Sequence, residues 1–194
     1  MVNSPAKKED PRITRTRNLI LDAFMNSLEE KSFQSLTVQD IAASAGINRG
    51  TFYSHFSDKY ALLDFSIQQN FQQELENHKF NVCTYSEENL RELVVAVCEF
   101  IANSRAHCVQ PEQQFESLVE TQVKKQLKEL LEKWIEQAGS EFDPKSAATA
   151  ASWAIYGLAM QWNHDKRKKK PSAEKFAAQI LPLIAVSLAV AQAM

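Results

Sequence analysis

Arg49, Thr51, Tyr53, Ser54 and His55 crowd into NRGTFYSHF, residues 48–56. All five side chains donate hydrogen bonds, and such donors suit base edges and phosphate oxygens. Phe52 and Phe56 lie one helical turn apart, so they form an inner face and leave the donors outside. Gly50 adds no bulk to that outer face. A glycine inside a helix costs about 1 kcal/mol relative to alanine, and a close backbone approach to a surface would offset it. Lys59 falls in the first turn of the next helix, where an ammonium and free N–H groups together suit a phosphate. Upstream, Arg12, Arg15 and Arg17 stand in the first turns of a helix, where positive charge is locally unfavourable. They form either a solvated face or a contact with an anion. The chemistry on offer is recognition of a polyanion. No GxSxG, Walker, HExxH or GxGxxG pattern occurs, so nothing points to an enzyme.

The positioning elements read as helices. The chain has 194 residues, 44% hydrophobic and 24% charged, with 4 Gly and 6 Pro. Few alternating β-branched runs occur, so the fold class is all-α. Net charge is −2, and residues 1–60 carry 8 Lys+Arg against 7 Asp+Glu. Any nucleic-acid binding therefore rests on placed charges and not on bulk charge.

Asp10-Pro11 starts a helix running to about Lys31, with Ile13, Ile20, Ala23, Phe24 and Leu28 inward. Thr37 caps a second helix, with Asp40 completing a capping box and Val38, Ile41, Ala42 and Ala45 on one face. Gly46 is the residue expected to end it in the left-handed conformation. Asn48 caps the short donor-bearing helix, and Ile47 and Phe52 match a hydrophobic staple. Ser57 is expected to cap a longer helix reaching about Lys79. Two short helices joined at a glycine make a helix-turn-helix, whose second member need only cross one major groove.

Four further helices follow. Ser86 caps one with Leu90, Leu93, Val94, Val97, Phe100 and Ile101 inward. Pro111 opens another, with Phe115, Leu118, Val119, Leu127, Leu130, Leu131 and Trp134 inward, stopping at Gly139. Asp143-Pro144 begins an alanine-rich helix over 144–163. Ser172 caps the last, bent at Pro182. Its charge-free end, FAAQILPLIAVSLAVAQAM, follows KRKKK (166–170) and resembles a tail anchor in length and flank. Gln179, Pro182, Ser187 and Gln192 weaken insertion, and a helix buried in a bundle or dimer interface explains the segment as well. The first residues lack an apolar core and read as a short disordered tail.

TVQDIAASAGINRGTFYSHFSDKYALL resembles the N-terminal domain of the tetracycline-repressor (TetR) family of bacterial regulators, over about residues 12–63. The T-V-x-D-I-A start, the A-G-hydrophobic turn, G-T-F-Y, H-F-x-x-K and the pair Leu62-Leu63 carry the likeness. The resemblance implies that Arg49, Gly50 and Thr51 enter the major groove. It implies that Tyr53, His55 and Lys59 hold phosphates, and that Arg12 and its neighbours reach the backbone or minor groove. Thr37, Asn48 and Ser54 complete the expected DNA-binding set. Asn48 replaces the Ser or Thr often found in the family and caps as well. The resemblance also implies a homodimer through 144–163 and 172–193, a roughly palindromic operator, and a small-molecule effector. The domains are then 1–58 for DNA binding and 59–194 for effector binding and dimerisation.

Phe100, Phe115, Trp134, Trp153 and Tyr156 are candidates to line an effector pocket, although aromatics at helical spacing are more often core. Cys83, Cys98 and Cys108 show no CxxC spacing and read as reduced thiols of a cytoplasmic protein. His107-Cys108 and His164-Asp165 are too sparse for a metal site, so no metal and no cofactor are expected. The function expected is a DNA-binding transcriptional regulator, a repressor released by its effector. The alternative is a helical protein-interaction module with a C-terminal membrane anchor.

Overall fold

The computed structural model describes residues 10–78, 84–106, 113–167 and 169–188. They form eight helices: α1 (Pro11–Glu30), α2 (Val38–Ser44), α3 (Arg49–Tyr53), α4 (Lys59–Asn77), α5 (Glu87–Ala106), α6 (Gln113–Ala138), α7 (Pro144–Asn163) and α8 (Ala173–Leu188). No strand occurs among the described residues, and the fold is all-α. The chain divides into two compact units, one reaching Leu63 and the other beginning at Asp64.

In the first unit, α2 packs on α1 and on α3. Asp10 caps α1 through the Arg12 backbone N–H at 2.9 Å, with Pro11 at the first helical position where no partner is lost. Ile20, Ala23, Phe24 and Leu28 are buried as their spacing predicts. Ile13 is not: it is 41% exposed, because the first turns of α1 carry their side chains into solvent. Phe33 fills the corner after α1, edge-on to both Phe24 and Tyr60. Such aromatic pairs add about 0.5–1.5 kcal/mol beyond area burial.

In the second unit, α5, α6, α7 and α8 pack together, α7 against each of the other three. The six apolar residues expected on the inner face of α5 are all buried. On α6, Val119, Leu127, Leu131 and Trp134 are buried, while Phe115, Leu118 and Leu130 are half-buried at the margin of that face. Gly139 ends α6 with φ 79°. Asp143 caps α7 through Ser146, and small residues (Ala147, Ala148, Ala151, Ser152, Ala159) form much of its buried face. No described helix is long and apolar enough to cross a membrane. The helix start at Pro111, the N-terminal tail, Cys83, His107, Cys108, Lys168 and the stretch 189–194 lie outside the described residues.

Candidate nucleic-acid interface

Local chemistry builds the helix-turn-helix. At the start of α2, the Thr37 hydroxyl accepts the Asp40 N–H at 3.2 Å, and Asp40 Oδ2 accepts the Thr37 backbone N–H at 3.0 Å. The Thr37 hydroxyl also donates to Asp40 at 2.6 Å, and Lys31 Nζ lies 2.9 Å from the other carboxylate oxygen. These bonds, the hydroxyl's first and then the ammonium's, hold the Asp40 carboxyl far below the usual carboxylate range.

The exit from α2 is a Schellman turn. The Ile47 N–H reaches Ala42 O at 3.0 Å, and the Gly46 N–H reaches Ala43 O at 3.2 Å. Gly46 sits at φ 66°, where a side chain is strained. Asn48 then caps α3, its Oδ1 accepting the Thr51 N–H at 2.8 Å and the Thr51 hydroxyl at 3.2 Å. Phe52 is fully buried and Phe56 nearly so, their ring centroids 6.0 Å apart. This pair anchors a helix of only five residues.

Gly50 has a local reason besides its lack of bulk. A Cβ there would stand 3.1 Å from Asn48 Oδ1, pressing on the cap oxygen that starts the helix.

The residues expected to meet DNA separate into two sets. Arg49, Gly50 and Tyr53 are exposed on α3, Tyr53 to 48%, and His55 is half-exposed just beyond it. Arg12 and Arg15 are exposed on the first turns of α1. Among the described residues no hydrogen bond or ion pair holds the Arg49 guanidinium, so it is available to an external acceptor. In the second set the polar atoms are engaged inside the protein. The hydroxyls of Thr37 and Thr51 donate to Asp40 and Asn48, and Ser54 Oγ donates to Gly50 O at 2.9 Å.

Lys59 differs most from expectation. Its Nζ donates to Phe33 O at 2.8 Å, Leu36 O at 2.9 Å and Gln34 O at 3.0 Å, so all three ammonium protons are used. The N–H groups expected to join it on a phosphate are also taken. Asp58 Oδ1 accepts those of Tyr60 and Ala61, each at 2.8 Å. Asp58, and not Ser57, is therefore the cap of α4. Lys59 clamps the loop between α1 and α2, and its charge also lies 4.8 Å from the Phe33 ring centroid. Sequence gave no sign of this, since the three carbonyls lie 23–26 positions away.

The aromatic candidates in the second unit differ in burial. Phe100, Trp134 and Tyr156 are buried and Phe115 is half-buried. Phe100 meets Phe71 edge-on at 5.2 Å, and Trp134 lies 6.4 Å from Tyr85. Trp153 is 63% exposed, with Lys124 Nζ 3.6 Å from its ring centroid. It lines an open recess with Lys145, Ser146, Thr149 and Ala150. Cys98 is buried, and desolvation pushes its thiol up to about 12. A buried thiol so raised carries little thiolate at neutral pH and is a poor nucleophile.

A capped two-helix motif with a glycine turn and a short, donor-bearing second helix defines a helix-turn-helix DNA-binding domain. Residues 20–64 match the model of the bacterial regulatory proteins, tetR family. It is 38% identical over 65 residues to the uncharacterized HTH-type transcriptional regulator YxbF of Bacillus subtilis (strain 168). That match covers 33% of this chain and 17% of the relative, so the chain spans under a fifth of that protein's length. Likeness in fold extends further. A TetR-family regulator from Streptomyces coelicolor superposes with a TM-score of 0.67 at 15% identity, covering 94% of this chain and 99% of that one. The regulator FadR from Bacillus subtilis, solved in complex with stearoyl-CoA, gives 0.54 at 17% identity, covering 91% and 99%.

Proposed function

We propose that this chain is a homodimeric transcriptional regulator, a repressor that binds operator DNA and is released by a small-molecule effector. The observation that carries the reading is α3 itself. Five residues long, it is pinned by Phe52 and Phe56 and presents Arg49, Gly50 and Tyr53 outward. Arg49 reads a base edge. Tyr53, His55, Arg12 and Arg15 hold phosphates, while Thr37, Asn48, Thr51 and Ser54 keep the motif in shape. Lys59 belongs with this second group.

In this reading residues 1–58 recognise DNA, and 59–194 take the effector and dimerise in the cytoplasm. The dimer forms through α7 and α8, where Trp153, Leu183 and Val186 expose apolar surface. Two-fold symmetry then places the recognition helices about 34 Å apart, one turn of the duplex, on a roughly palindromic site. Of the five aromatic candidates for effector contact, this reading keeps Phe100, Phe115, Trp134 and Tyr156 in that role and assigns Trp153 to the dimer face. The FadR structure with stearoyl-CoA supports a domain of this fold taking a small organic ligand. Release follows from population shift, the effector favouring a spacing of the two recognition helices that fits DNA poorly.

The test is selection of bound duplexes from a random pool with purified protein at fixed salt. Enrichment of a palindromic site is the expected outcome. No enriched sequence across several salt concentrations, with ligand-free protein, would overturn the reading.

A further inference from the structure

The second unit holds a cluster that DNA recognition does not use. Glu74 and His78 lie one turn apart at the end of α4, and Glu92 and Glu99 stand two turns apart on α5. His78 Nε2 is 3.1 Å from Glu99 Oε2 and 3.6 Å from Glu74 Oε1. On the other side of the ring, His78 Nδ1 is 3.4 Å from Glu92 Oε2. The imidazole is only 14% exposed. One ligand atom each from Glu74, His78 and Glu99 can be chosen so that all lie within 4.8 Å of one another.

We propose that Glu74, His78 and Glu99 bind one divalent transition-metal ion, with Glu92 orienting the imidazole from its other nitrogen. Ligand atoms about 2.05 Å from a tetrahedral ion stand about 3.3 Å apart, and the two Nε2 distances bracket that value. Glu92 supplies the outer carboxylate that metal-bound histidines commonly have. Accepting from Nδ1–H, it fixes the tautomer that leaves the Nε2 lone pair facing Glu74 and Glu99. Arg91 Nη2 lies 3.8 Å from the other Glu92 oxygen, so the charge of that carboxylate is partly balanced. Glu74 and Glu99 then contribute two negative charges, which a dication neutralises. An imidazole with two carboxylates suits zinc, manganese, iron(II), cobalt or nickel better than calcium or magnesium, which prefer all-oxygen sites. Three protein ligands leave at least one coordination position for water or an exogenous donor.

This assignment is independent of the DNA-binding reading, and so is its test. The full chain, stripped with a chelator, is titrated with zinc by calorimetry and with cobalt(II) by visible absorption. One ion per chain is expected, with affinity lowered at least 100-fold in His78→Ala. Glu92→Gln should keep the stoichiometry while weakening affinity about tenfold, as loss of an outer-shell partner does. His164→Ala, which alters a histidine next to Asp165 elsewhere, should bind as the parent does. Circular dichroism checks folding, and Glu99→Gln, at the more exposed ligand, provides the same comparison if His78→Ala does not fold. No stoichiometric zinc binding, or undiminished binding by the folded His78→Ala or Glu99→Gln protein, would overturn the proposal.

Discussion

Arg49 and Lys59 are both cations of the helix-turn-helix, yet their surroundings assign them different work. Arg49 is exposed and unengaged among the described residues, so Arg49→Ala should change preference at particular base pairs, by about 1–3 kcal/mol. Tyr53→Phe should instead weaken binding evenly and lessen the salt slope, as a phosphate contact does. Binding curves on single-base operator variants separate the two, and an even loss in Arg49→Ala would refute base reading. Lys59→Met removes three charge-assisted bonds to carbonyls. A fall in unfolding free energy of about 1.5–3 kcal/mol is expected, read from denaturant midpoints. The salt slope of DNA binding should stay that of the parent; a reduced slope would restore Lys59 to the phosphate contacts.

Asp40 is expected to add acid sensitivity to the same unit. Its carboxyl is depressed in the folded state by Thr37 and then Lys31. A depressed folded value means stability is fully present above the unfolded value of about 4 and is lost as pH falls below it. Asp40→Asn should therefore be less stable than the parent at pH 7, with the difference narrowing below about pH 4. A gap that stays constant from pH 7 to pH 3 in urea melts would count against this role.

At the scale of the element, Gly46 decides how α2 meets α3. Its φ of 66° closes the Schellman bonds to Ala42 and Ala43. Gly46→Ala should cost about 1–2 kcal/mol, because a Cβ is unfavourable in that conformation. Gly46→Asn should cost less, since asparagine visits the left-handed region more readily. Thermal melts rank the three proteins, and equal stability of all three would exclude backbone strain at this turn. The caps themselves were legible in sequence: Asp10, Thr37 with Asp40, Gly46, Asn48 and Asp143 each depend on partners within five residues. Ser57 was misread for a related reason. Serine and aspartate both cap, they are adjacent, and only the positions of the Tyr60 and Ala61 N–H groups decide between them.

At the scale of the whole molecule, α8 leaves apolar side chains in solvent. Leu183 is 66% exposed and Val186 75% exposed. If a second copy covers them, Leu183→Glu places an unpaired charge in the interface and should shift the protein to monomer at micromolar concentration. Sedimentation velocity reads this directly. An unchanged dimer would move the interface elsewhere.

Sequence by itself determined the all-α class, the order of the helices, the helix-turn-helix and the outward donors of α3. These depend on periodicity and on caps, which act over one or two turns of chain. Tertiary structure alone decided which polar groups are already engaged. Lys59 meets carbonyls from the α1–α2 loop, and His78 meets glutamates 14 and 21 positions away. It also decided that Trp153 is exposed, whereas Trp134 is buried as its spacing predicts. Hydrogen-bond and burial partners distant in sequence are set by how helices pack, and no local pattern encodes them.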